Sequence, residues 1–120
     1  MENFIPFGKP ILDNSEFSLV KNVLKSGTLV HGKMTSDFEK EFAEIIGVKN
    51  AIAVSSCTAG MHLGLFISEI SVGAKVAVPA MTHVATAHVV ELQGAQPIFI
   101  DVNKDTGNIC TKKLREVAQN

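Results

Sequence analysis

From residue 51 onward the sequence alternates strand-like and helix-like stretches, and no other feature restricts the fold as much. Ala51–Ser55, Lys75–Val78 and Pro97–Val102 are short apolar runs bounded by turn residues, as strands are. Between the first two, Ala59, Leu63, Phe66 and Ile70 mark the apolar face of a helix. Within Thr82–Leu92, Ala85, Val89 and Leu92 mark another, stopped by Gly94. Strands with helices between them predict a parallel sheet in an α/β architecture, joined by right-handed crossovers. Asp105-Thr106-Gly107-Asn108 reads as a turn and Thr111 as the N-cap of a last helix.

Two helices are expected before the first strand. Residues 4–12 carry two prolines and a glycine and read as an extended arm. Asp13 and Glu16 are spaced like a capping box, Phe17, Val20, Val23 and Leu24 follow at helical spacing, and Gly27 supplies the stop, so a helix spans 13–26. Ser36 and Glu39 suggest a second capping box, with Phe38, Phe42 and Ile45 on the buried face and Gly47 at the close, giving a helix over 36–46. The glycine-bracketed residues 27–35 between them form a loop.

The chain has 120 residues, one domain's worth or a piece of a larger one, and its 46% apolar content argues against disorder. A net charge of −1 gives no reason to expect nucleic acid or an anionic membrane as partner. No apolar run approaches the roughly 20 residues that span a bilayer, and Met1-Glu2-Asn3-Phe4 lacks the basic start of a signal peptide. Cys57 and Cys110 make neither a metal-ligand spacing nor a disulfide framework, so a cytoplasmic setting is expected. The chain stops at Gln119-Asn120 inside a helical pattern, where a complete domain seldom ends; a truncated chain is therefore expected.

Ligand sites in parallel sheets lie beyond the carboxyl ends of the strands. Three segments qualify: Ser55–Gly60, Ala80–Ala85 and Asp101–Thr106, each with short polar residues. The first, Ser55-Ser56-Cys57-Thr58-Ala59-Gly60, leads from strand to helix and admits two readings. It is a plain helix cap, or it is an anion seat made by the N–H groups near Thr58 and Ala59, the Thr58 hydroxyl and the positive helix end. It matches neither G-x-G-x-x-G nor a P-loop, so a single phosphate suits it better than a diphosphate. Cys57 at a helix start could be a nucleophile with His62, His83 or His88 as base, but no cysteine-hydrolase pattern surrounds it. His83 follows a strand end, where a flat ring could stack on a planar ligand. His62 and His88 read as structural, His31 as a substrate contact or a solvated loop residue, and Asp101 equally as a turn-former or a site residue.

Taken together, these stretches resemble one family, the DegT/DnrJ/EryC1/StrS sugar aminotransferases. Val54-Ser55-Ser56-Cys57-Thr58-Ala59-Gly60-Met61-His62-Leu63 is similar to the family's SSGTAALHLAL segment. Val78-Pro79-Ala80-Met81-Thr82-His83-Val84-Ala85-Thr86-Ala87-His88 is similar to its VPxxTFVATAN segment. Residues 5–10, 26–32 and 94–102 resemble its opening, its substrate loop and its third strand, in the right order along nearly the whole chain.

The resemblance implies a pyridoxal 5′-phosphate (PLP) enzyme of fold type I, a three-layer αβα domain with a mostly parallel sheet, active as a homodimer. Such an enzyme moves an amino group, usually from glutamate, onto a nucleotide-linked keto sugar. By motif position, Thr58 and Ala59 would hold the cofactor phosphate, with Cys57 standing where glycine is commoner. His83 would replace the aromatic residue stacked on the pyridine ring, and Thr28, Val30 and His31 would face the substrate. The family's Schiff-base lysine and the aspartate paired with the pyridine nitrogen lie downstream of residue 120. The 120 residues are thus expected to be the N-terminal part of the PLP-binding large domain, without a catalytic residue and inactive alone. In this fold the first strand is not the neighbour of the second, so Ala51–Ser55 is expected to lack a partner while the two later strands pair. The alternative is a non-catalytic α/β module that binds a phosphorylated ligand or a partner subunit.

Overall fold

A computed structural model describes residues 5–6 and 8–119, so Phe4 and Phe7 of the expected arm lie outside the described residues. The described residues fall into two compact units, divided between Ala53 and Val54.

In the first unit, α1 runs Asn14–Ser26, set by signals local to it. The Asp13 carboxylate accepts the Ser15 N–H at 2.7 Å, and Glu16 accepts the Asp13 N–H at 2.7 Å, so the expected capping box forms. Gly27 ends the helix in the left-handed conformation, φ +71°, which glycine adopts without a Cβ penalty. The second helix, α2, runs Lys33–Ile46 and starts three residues before the expected position. Thr35 and Ser36 both donate to the Gly32 carbonyl, at 3.1 and 3.3 Å, so the first turn closes on Gly32 and places Ser36 inside the helix. Glu39 then caps nothing; its carboxylate accepts the Ala53 N–H at 2.8 Å. Phe38 and Phe42 pair with ring centroids 5.8 Å apart, yet both remain exposed, as do Phe17, Val20 and Leu24 of α1.

The second unit holds α3 (Cys57–Ile67), β1 (Lys75–Pro79), α4 (Ala85–Leu92), β2 (Gln96–Ile100) and α5 (Thr111–Ala118). β1 and β2 pair in parallel, from Lys75 opposite Gln96 to Pro79 opposite Ile100, with α4 as the crossover. Ala51–Ser55 forms no strand, because it has no ladder partner among the described residues. The missing partner is what the resemblance implied. Val78, Val90 and Ala95 form the core, with Leu65, Ile70, Ala74 and Val76 packed against it.

Two faces of the second unit also differ from expectation. On α3 it is Leu65 that packs inward, while Leu63 and Phe66 are 49% and 64% exposed. On α4 Val90 is buried and Leu92 is 67% exposed. Each helix has more apolar residues than one stripe needs, and the two-stranded sheet covers only one side. α4 also starts at Ala85 rather than Thr82, and Thr111 is the first residue of α5 rather than its cap, which is Cys110. Between β2 and α5 the chain closes a small loop through a Val102–Ile109 bridge, with the Gly107 N–H donating to the Asn103 carbonyl at 2.8 Å.

Candidate functional site

The start of α3 is built by Ser56. Its backbone is extended (φ −162°, ψ 160°), its Oγ accepts the Ala59 N–H at 3.1 Å and its carbonyl accepts the Gly60 N–H at 3.1 Å. The N–H groups of Cys57 and Thr58 and the Thr58 hydroxyl find no acceptor among the described residues. Thr58 and Ala59 are half-buried and Cys57 is exposed. No acidic side chain occurs in Ser55–Gly60, so the donors face no local negative charge. Two free amides, a hydroxyl and a positive helix end are the donor set that suits a phosphate dianion. The phosphate end of a PLP-like group therefore fits the residues present.

β1 and β2 run parallel in register, so the segments following Pro79 and Ile100 leave the same edge of the sheet. The Ala80 N–H donates to the Ile100 carbonyl at 2.8 Å and holds the two exits together. Past Ala80, the Thr82 and Thr86 hydroxyls hydrogen-bond at 2.9 Å, and His83 Nδ1 accepts the Ala85 N–H at 3.1 Å. His83 thus caps the first turn of α4, which has no side-chain cap from Val84, while its ring stays exposed. α3 packs against α4; Thr58 lies in the first turn of α3, and His83 lies two residues before the first residue of α4.

At the other exit, Asp101 Oδ2 pairs with Lys113 Nζ at 2.8 Å and Oδ1 accepts the Val102 N–H at 3.0 Å. The Lys113 ammonium holds the Asp101 carboxyl below its usual range, helped by the Val102 N–H, and Asp101 in turn raises Lys113. Asp101 ties β2 to α5. Cys57 has no hydrogen-bond partner among the described residues, so the nucleophile reading gains no base. Among the described residues no group of three or more His, Cys, Asp or Glu side chains could hold a metal ion. No helix among them is long and apolar enough to cross a membrane.

Thr28, Val30 and His31 lie in the first unit, on the loop between α1 and α2. Thr28 lines a groove of about 220 Å³ with Val23, Leu29, Gly32 and Met34. Val30 and His31 are exposed, and His31 has φ +50°, unusual for a residue with a side chain. Sequence reasoning did not single out Ser56 within the turn or Glu39 at the Ala53 N–H. The first was legible as a hydroxyl directly before the helix; the second joins residues 14 apart and leaves no local signal.

Two parallel strands joined by a helical crossover, preceded by a helix whose first turn carries unclaimed donors, place this chain among α/β proteins. Residues 10–120 match the model of the DegT/DnrJ/EryC1/StrS aminotransferase family, and the chain belongs to that family. Its fold is similar to the candidate sugar aminotransferase Spr1654 from Streptococcus pneumoniae in its PLP form, with a TM-score of 0.87 and 30% identity over 93% of this chain and 29% of that one. It is similar to the aminotransferase TlmJ from Streptoalloteichus hindustanus, with a TM-score of 0.83 and 32% identity over 94% of this chain and 31% of that one. It is also similar to a GDP-4-keto-6-deoxymannose-3-dehydratase with a trapped PLP–glutamate geminal diamine, with a TM-score of 0.82 and 26% identity over 92% of this chain and 30% of that one. The chain spans less than a third of the length of these proteins. The α/β, fold type I architecture implied by the resemblance is the one found.

Proposed function

We propose that these 120 residues are the N-terminal part of the PLP-binding large domain of a sugar aminotransferase. The observation that carries this is the pair of unclaimed N–H groups at Cys57 and Thr58, beside the Thr58 hydroxyl, at the start of α3. In this reading Thr58 and Cys57 bind the cofactor phosphate, Ser56 fixes the turn by holding the Ala59 amide, and His83 supplies a flat wall beside the ring. Ala59 contributes as part of the same first turn. Thr28, Val30 and His31 face the sugar substrate. When bound, PLP supplies an electron-withdrawing ring that stabilises negative charge on the amino donor's α-carbon. The chain's own part is to bind and orient; no lysine here occupies the family's Schiff-base motif, so amino transfer needs residues beyond Asn120.

The full-length protein is proposed to work in the cytoplasm as a homodimer, taking its amino group from glutamate and giving it to a nucleotide-linked keto sugar. The glutamate trapped on PLP in the structurally similar dehydratase supports the donor. That same protein favours a second outcome, dehydration of the keto sugar, because it uses this fold with the same cofactor and amino acid. Incubating full-length protein with PLP, glutamate and a nucleotide-linked keto sugar separates the two. Formation of 2-oxoglutarate in step with an amino sugar supports transamination; a deoxy sugar without an amino group supports dehydration, and neither product defeats both. Thr58→Val removes one phosphate donor and is expected to raise the PLP dissociation constant about tenfold, corresponding to one charge-assisted hydrogen bond. Equilibrium dialysis measures it, and unchanged affinity would remove Thr58 from the seat.

A further inference from the structure

The Ala85 N–H makes a 3.1 Å bond to His83 Nδ1, and this bond fixes more than the start of α4. A neutral imidazole has one protonated and one bare nitrogen, and a nitrogen that accepts an N–H must be the bare one. We propose that His83 is a positioning residue whose ring is held in a single tautomer, with the proton on Nε2, by the backbone of the helix it caps. The side chain accordingly has two tasks that a carbocyclic aromatic residue could not combine. Nδ1 supplies the acceptor that α4 otherwise lacks, since Val84 provides no side-chain cap. The exposed remainder of the ring, anchored at one corner, offers a flat face and one outward N–H donor. The Thr82–Thr86 hydroxyl pair, 2.9 Å apart across the same turn, stiffens the segment on which the ring is mounted. A ring tethered in this way loses less rotamer freedom when a planar group stacks on it, which offsets its smaller area.

The tautomer and the cap stand on this chain alone; the use of the ring face rests on the PLP reading above. Nitrogen-15 NMR of histidine-labelled full-length protein tests the first part, with the His83 signals identified by their loss in His83→Asn. A bare-nitrogen shift at Nδ1 and a protonated shift at Nε2, with and without PLP, are expected. The reverse assignment, or fast averaging between the two tautomers, would overturn the proposal. Two variants then separate the tasks. His83→Phe keeps a flat face and loses the acceptor, and should lower the Tm of the PLP-free full-length protein by about 1–2 °C. His83→Asn keeps an acceptor and loses the ring, and should hold the Tm of the PLP-free protein while weakening PLP retention severalfold. An unchanged Tm in His83→Phe would overturn the capping role. Failure of the wild-type full-length protein to bind PLP at all would instead sink the proposed function and leave the tautomer result standing.

Discussion

The turn that opens α3 divides its work among adjacent residues, and Ser56 and Thr58 are chemically alike but differently engaged. Ser56 Oγ is bonded to the Ala59 amide, whereas Thr58 Oγ1 has no partner among the described residues. A run of small hydroxyl residues before a helix announces a cap and does not say which hydroxyl makes it. Asp13 shows the electrostatics of a cap more directly. Its carboxyl lies below its ordinary value because the Ser15 N–H and hydroxyl bind the charged form. A depressed folded-state value means the contribution to α1 is complete above the unfolded value of about 4 and is lost as pH falls through the folded one. Helicity of α1 should therefore decline below about pH 4. In Asp13→Asn the amide oxygen still caps, and this part of the acid response should vanish. Circular dichroism of both proteins from pH 6 to pH 2 checks it, and superimposable curves would show that Asp13 does not carry the response.

Elements whose signals lie within a few residues were legible in the sequence, and those that depend on distant partners were not. α1 came out as expected because Asp13, Glu16 and Gly27 are all local to it. The start of α2 did not, since Gly32 announces no helix and the Ser36–Glu39 spacing imitates a capping box whose glutamate serves Ala53. Ala51–Ser55 has strand composition, but a strand exists only against a neighbour. The turn from α4 into β2 was legible and is tight. Gly94 has φ +74°, its N–H donates to the Glu91 carbonyl at 2.8 Å, and its carbonyl accepts the Gly73 N–H at 2.8 Å. A Cβ there would meet Val72 Cγ2 at 3.2 Å. Gly94→Ala should therefore cost about 1–2 kcal/mol from the left-handed backbone alone, with the Val72 contact adding to it. Urea denaturation of the full-length protein measures the loss, and no change in midpoint would show that the turn relaxes freely.

At the scale of the molecule, the described residues leave much apolar surface open. Phe17 and Phe66 are 63% and 64% exposed, Ile45 and Ile52 are 80% and 81% exposed, and β1 and β2 form a sheet of only two strands. Both outer edges of that pair lack a partner among the described residues, and a two-stranded sheet is marginal in water unless another layer covers it. Within the second unit a groove of about 410 Å³, lined by Met61 and Leu65 on one helix and Val76 and Val78 on β1, remains open beside the core. Patches of this kind on soluble proteins mark surfaces that something else normally covers. The similar aminotransferases, which are roughly three times as long as this chain, are consistent with that reading. The 120-residue chain made by itself is therefore expected to self-associate at micromolar concentration, to bind a hydrophobic dye such as ANS, and to melt without a sharp transition. Sedimentation velocity and a thermal scan over a concentration series decide it. A monomer with one cooperative, concentration-independent transition would mean that these faces need no further cover, and would remove the physical ground for treating the chain as part of a larger domain.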